Sequence, residues 1–136
     1  MKAEEIELNL PSNLESIDKA VTEAVKFASE LGFADDALFA IDLALREAVA
    51  NAVKHGNKFD ETKDVNLMMR ETGSGLEIAV RDFGTGFEVE DVPDPTNPEN
   101  LLKATGRGIL FMNNFMDSIE WLHHRDGTTV KMLKKR

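Results

Sequence analysis

Three short stretches of the chain carry side chains suited to holding a phosphorylated ligand, and each also has an ordinary structural reading. In REAVANAVKHGN, Glu47 and Asn51 stand four residues apart and Lys54 three further on. On a helix this spacing sets a carboxylate, an amide and an amine along one face, with Leu45, Val49 and Ala52 on the other. Oxygen ligands plus water are what magnesium prefers, and an ammonium group is a good point charge for phosphate. The same stripe is what the solvated side of any amphipathic helix presents. Ala48, Ala50 and Ala52 keep the helix surface small around Glu47 and Asn51, which leaves room for a ligand.

The second stretch, RDFGTGF, directly follows the alternating run LEIAV. Asp82 at a strand end can accept a hydrogen bond from an exocyclic amine, and Gly84 and Gly86 let a ligand or another backbone come close. Taken alone, the same residues describe a turn whose aspartate satisfies turn amides. In the third stretch, TGRGI, Gly106, Arg107 and Gly108 stand before an apolar helical pattern. A glycine-rich helix start offers unpaired N–H groups to an anion, and Arg107 adds a cation; a plain linker is the ordinary alternative. Neither GxxxxGK[ST] nor a GxGxxG after the first strand of a parallel βαβ unit is present, so neither established phosphate fingerprint applies. The specific signal is the order: a helix with ExxxN, a strand ending in DxGxG, a linker, GxG at a helix start, and a strand opening GTT.

The elements that must position these groups follow from periodicity. IELNL alternates and ends at Pro11, which predicts a first strand. SNLESIDKAVTEAVKFASELG predicts a helix capped by Ser12 or Asn13, with Leu14, Ile17, Val21, Val25 and Ala28 apolar and Gly32 closing it. Asp35 and Asp36 open a second helix that runs on to Gly56. VNLMMRE and LEIAVRD predict a hairpin around TGSG, and SIEWLHH and TTVKML two closing strands. Residues 88–105, with Pro93, Pro95 and Pro98, lose all periodicity and read as a lid or as a misread element; GRGILFMNNF then predicts a short helix. The expected fold is a two-layer α/β sandwich, with a mixed, mostly antiparallel sheet and helices on one face.

Composition narrows the function. A chain of 136 residues, 42% hydrophobic and 30% charged, is expected to form one domain with its own core. No apolar run reaches bilayer length and no export pattern opens the chain, so a cytoplasmic protein without a membrane partner is expected. The absence of cysteine removes disulfides and thiolate metal sites. His123 and His124 are adjacent on a predicted strand, point to opposite faces and cannot share an ion. The net charge of −9 argues against direct nucleic-acid binding, and the basic ending KMLKKR reads as a solubilising strand end or a protein contact.

The ordered motifs resemble those of the GHKL ATPase superfamily, which includes gyrases, histidine kinases and MutL. EAVANAVKH resembles its asparagine box, RDFGTGF its first glycine box and TGRGI its second. Within the superfamily, PDPTNPENLLKATGRGILFMNNFMD is similar to the stand-alone anti-sigma-factor serine kinases. The resemblance implies the Bergerat ATP-binding fold, with nucleotide between the asparagine-box helix and a lid over residues 88–105. It implies that Asp82 binds the adenine amino group, helped by Thr128 through a water, with clearance from Gly84 and Gly86. Asn51 is implied as the magnesium ligand, Lys54 as a phosphate contact, and Gly106, Arg107 and Gly108 as the phosphate cradle. Glu47 is implied as the base that takes the proton from an attacking serine hydroxyl.

Histidine kinases carry asparagine where Glu47 stands and need a helical domain bearing the phosphorylated histidine; gyrase and MutL use a transducer domain downstream. The chain is expected to have none of these, so the resemblance implies a kinase acting on another protein. It implies a homodimer that binds a sigma factor and alternatively phosphorylates an anti-sigma-factor antagonist with Mg-ATP. The alternative is a nucleotide-regulated binding module without productive kinase activity.

Overall fold

A computed structural model describes residues 5–84 and 115–135. Strand β1 (Glu5–Pro11) leads into helix α1 (Glu15–Glu30) and helix α2 (Asp35–Asn51), and α2 runs directly into a π-helical turn, Ala52–Gly56. Strands β2 (Asp64–Glu71), β3 (Gly75–Arg81), β4 (Ser118–His124) and β5 (Gly127–Lys135) follow. They form one five-stranded sheet in the order β1-β2-β3-β5-β4. Among the described residues its pairings are all antiparallel, so the antiparallel part of the expected mixed sheet is seen and no parallel pair is among them.

Period-two alternation decides which face is buried. Register places Leu8 opposite Leu67, Leu67 opposite Val80, and Val80 opposite Val130, so apolar side chains line up across the sheet. The next row sets Met69 against Ile78 and Ile78 against Met132. These rows form one buried cluster with the inner faces of α1 and α2, so both helices cover the same face of the sheet.

Alanines at four-residue spacing let the two helices approach. Ala20, Ala24 and Ala28 on α1 and Ala40, Ala44 and Ala48 on α2 are all buried. The sequence pattern had assigned α1 a slightly different inner face. Leu14 is 55% exposed, while Ser16 and Ala20 take the buried positions. Leu14 takes the N-cap position, and the side-chain bond to the helix start comes from Asn13, whose Oδ1 accepts the Ser16 backbone N–H at 3.1 Å. Ser12 turns the other way, and its hydroxyl donates to the Lys63 carbonyl.

Candidate functional site

Asp82 continues the inward-facing row of β3. Leu76, Ile78 and Val80 are buried on the core face, and the period of two carries the next inward position to Asp82, which is 6% exposed. Thr128, opposite it, likewise extends the buried row of Val130 and Met132 on β5. A carboxylate in such a place is costly unless something satisfies it. One oxygen is satisfied by backbone: Asp82 Oδ1 accepts N–H groups from Gly84 and Thr128, each at 3.2 Å. The Asp82 N–H in turn donates to the Thr128 carbonyl at 2.9 Å. Burial still pushes the Asp82 carboxyl above the ordinary aspartate value, against the pull of those two amides and of Arg81 and His124.

Glycines allow the rest of the site to close on this carboxylate. A Cβ on Gly56 would collide with Cγ and Oδ2 of Asp82, and one on Gly84 would strike the Gly56 carbonyl oxygen. The end of the π-helical turn and the loop after β3 therefore meet backbone to backbone at Asp82. Gly84 is needed for this protein contact, whatever else it admits. Gly56 was read from sequence only as a helix stop.

The stripe on α2 forms as its spacing requires. Leu45, Val49 and Ala52 are buried, Glu47 and Asn51 are half-buried, and Lys54 is exposed. Desolvation pushes the Glu47 carboxyl above the ordinary glutamate value, while the charges of Lys54 and His55 pull it down. Glu47, Lys54 and His55 thus share one electrostatic neighbourhood. The alanines have a different role from the one expected: Ala48, Ala50 and Ala52 are buried, and Ala48 and Ala52 belong to the core rather than to a cleared surface. The helix also ends differently, because Asn57 N–H reaches the Ala52 carbonyl at 2.8 Å, five residues back.

Three buried polar atoms have no hydrogen-bond partner among the described residues: Asn51 Nδ2 and Thr128 Oγ1 in this site, and Arg81 Nε beside it. Native structures seldom leave such atoms unsatisfied, so the two in the site are suited to a ligand or a bound water. The Asn51 amide can turn its oxygen to a cation or its N–H to a phosphate. Among the described residues no group of three or more His, Cys, Asp or Glu is placed to hold a metal.

Asp82, Gly84 and Thr128 come together at the end of the central strands, and Glu47, Asn51 and Lys54 on α2 and its π-helical extension. Gly86, Gly106, Arg107, Gly108 and the expected lid over 88–105 lie outside the described residues. Sequence reading missed Asn57, a buried amide joining the two halves. The only local signal for it was its place directly after Gly56 in KHGN.

The chain is similar to known proteins in sequence and in fold. A family described as the histidine kinase-like ATPase domain matches residues 10–134. A protein of Bacillus licheniformis named serine-protein kinase RsbW is 30% identical over 138 residues, covering 97% of this chain and 86% of its own length. The anti-sigma F factor of Anoxybacillus flavithermus is 34% identical over 113 residues, covering 79% of this chain and 76% of its own. In fold, the chain is similar to the crystal structure of the RsbU and RsbW domains of Rv1364c from Mycobacterium tuberculosis, with a TM-score of 0.71 at 16% identity. That alignment covers 96% of this chain and 32% of the longer one.

Proposed function

The chain belongs to the histidine kinase-like ATPase domain family, and from that premise we propose that it is an ATP-dependent protein serine/threonine kinase that also serves as an anti-sigma factor. The observation that carries this reading is the half-buried Glu47 on one helix with Asn51, whose Nδ2 is buried with no hydrogen-bond partner among the described residues. It is supported by a relative named as a serine-protein kinase that aligns over nearly the whole chain.

Adenine would be selected at Asp82. With Oδ1 committed to the Gly84 and Thr128 amides, Oδ2 is left to accept from the exocyclic amine, and the Thr128 hydroxyl is suited to a bridging water. Asn51 would hold magnesium, which when bound neutralises charge on the phosphate oxygens. Lys54 would contact phosphate, while Gly86, Gly106, Arg107 and Gly108 keep the roles that the motifs imply for them.

Glu47 would take the proton from a serine or threonine hydroxyl of the substrate protein. As that oxygen bonds to the γ-phosphorus, the bond from phosphorus to the β–γ bridging oxygen breaks and ADP leaves. Partial desolvation suits Glu47 to this step because it raises the basicity of the carboxylate.

The partners of this reading are a sigma factor and a small antagonist protein. Phosphorylation places a dianion at the antagonist interface and would free the kinase to hold the sigma factor. The protein would work in the cytoplasm as a single-domain homodimer, without direct contact with nucleic acid or membrane. The net charge of −9 supports the absence of a polyanionic partner. Among the described residues no helix is long and apolar enough to cross a membrane.

Incubation of the chain with Mg-ATP and the antagonist encoded beside it should add the mass of one phosphate to the antagonist, and Glu47→Ala should abolish that shift. Tight Mg-ATP binding without modification of any neighbouring antagonist would rule out the kinase and leave a nucleotide-regulated binding module.

A further inference from the structure

Asn57 is 2% exposed and spends its whole side chain on contacts between elements distant in sequence. Its Nδ2 donates to Ser12 Oγ at 2.8 Å, to the Asp64 carbonyl at 3.1 Å and to the Lys63 carbonyl at 3.3 Å. Its Oδ1 accepts the backbone N–H of Phe83 at 2.8 Å. The orientation of the amide is forced. Turned over, it would set an NH2 group against the Phe83 N–H and an oxygen against two carbonyl oxygens.

We propose that Asn57 is a positioning residue for nucleotide recognition, acting through the Phe83 backbone on the loop that carries Asp82. This rests on the reading of Asp82 as the adenine contact. Strand β3 ends at Arg81, so Asp82, Phe83 and Gly84 have left the regular ladder between β3 and β5. The hydrogen bonds of Asp82 bind that loop to itself at Gly84 and to the neighbouring strand at Thr128. The Asn57 bond alone, among the described hydrogen bonds of the loop, reaches the helical layer. It grips the residue next to Asp82 from a point one residue beyond Gly56, where the two backbones meet.

Loss of that grip would let the Asp82 carboxylate drift relative to the helix that carries the phosphate-binding groups. Nucleotide affinity would fall, but Glu47 and Asn51, on α2 ahead of the π-helical turn, would keep their places. The signature is therefore a raised KM for ATP with kcat retained at saturation.

Calorimetric titration with ADP, run beside chemical denaturation, tests this on four variants. Asn57→Ala should bind ADP about tenfold more weakly, the scale of one net hydrogen bond's worth of positioning. Ser12→Ala removes a partner from the other end of the same amide; it should lose stability yet keep ADP affinity within about threefold. Asn57→Asp keeps the acceptor for Phe83 but sets a carboxylate against the Lys63 and Asp64 carbonyls, so it should bind nearly as wild type while unfolding more readily. If Asn57→Ala and Ser12→Ala lose stability alike and both bind ADP as wild type does, Asn57 is a structural residue only and the proposal is wrong. Asp82→Asn separates the two ideas: unchanged ADP affinity there would overturn the adenine reading itself. Should Asn57→Ala fail to fold, amide exchange in the wild type decides. Phe83 N–H should be protected, and exchange at the rate of a free loop would sink the proposal.

Discussion

Glu47 and Asp82 are both carboxylates raised by burial, but different groups oppose that rise. Asp82 is answered first by the backbone N–H groups of Gly84 and Thr128, which have no freedom to rotate away. Glu47 is answered by the charges of two side chains, Lys54 and His55, both exposed. No hydrogen bond from the described residues fixes it. A group that selects a ligand by geometry gains from rigid partners, since a held acceptor rejects a base whose donors lie elsewhere. A group that must take a proton gains from being basic and uncommitted. On the proposed function, the two ends of the site would divide recognition from chemistry along that line.

Substitutions at the two ends should separate the two roles. The largest effect is expected at Glu47: Glu47→Gln should lower kcat for phosphate transfer by about a thousandfold, the range of a lost general base, with ADP binding changed by less than about threefold. A parallel loss of binding in calorimetry would show that Glu47 also holds the nucleotide and would blur the division. At the other end, Gly56→Ala forces a methyl into the Asp82 carboxyl group. It should cost about 2 kcal/mol of stability in urea unfolding, typical of overpacking, and weaken ADP binding at least tenfold.

Asp82→Asn should weaken ADP binding by about 2 kcal/mol, near thirtyfold, as expected for one charged hydrogen bond. Its effect on the free protein has the opposite sign. The Asp82 pKa in the folded state lies above the unfolded value, so the folded protein holds its proton more tightly. Stability is then lost as pH rises from the unfolded value through the folded one. The Asn variant should therefore unfold at higher urea than wild type near pH 7 in the absence of nucleotide, with the gap closing in acid. Equal midpoints at both pH values would mean that the amides already compensate the buried charge.

The smallest effect should come from His55→Gln. In its cationic form His55 pulls the Glu47 pKa down, so its loss should move the acid limb of the rate profile to higher pH. A limb that stays in place would show that solvent screens the pair.

Much of the fold was legible because its signals are local. IELNL, VNLMMRE, LEIAV, SIEWLHH and TTVKML each alternate within a few residues, and each forms a strand. The helical stripe of Glu47, Asn51 and Lys54 follows from helix geometry alone. Where local signals competed, tertiary contact decided. Ser12 and Asn13 both suit a helix start, and it is Asn13 whose side chain bonds the first turn of α1, because Ser12 is drawn to Lys63 and Asn57. Ala48 and Ala52 offer a small surface on any side, and the helix turns them into the core.

By itself the sequence determined the strands, the polar stripe on α2, and the aspartate that continues an inward-facing row, because each depends on spacings of two to seven residues along one element. Only the tertiary structure decided how the halves meet. The Asp82 carboxylate is held by an amide 46 residues away, Phe83 by a side chain 26 residues away, and that side chain by a hydroxyl 45 residues away. Contacts across such distances depend on how the helical layer seats on the sheet, so no stretch of sequence carries a pattern for them.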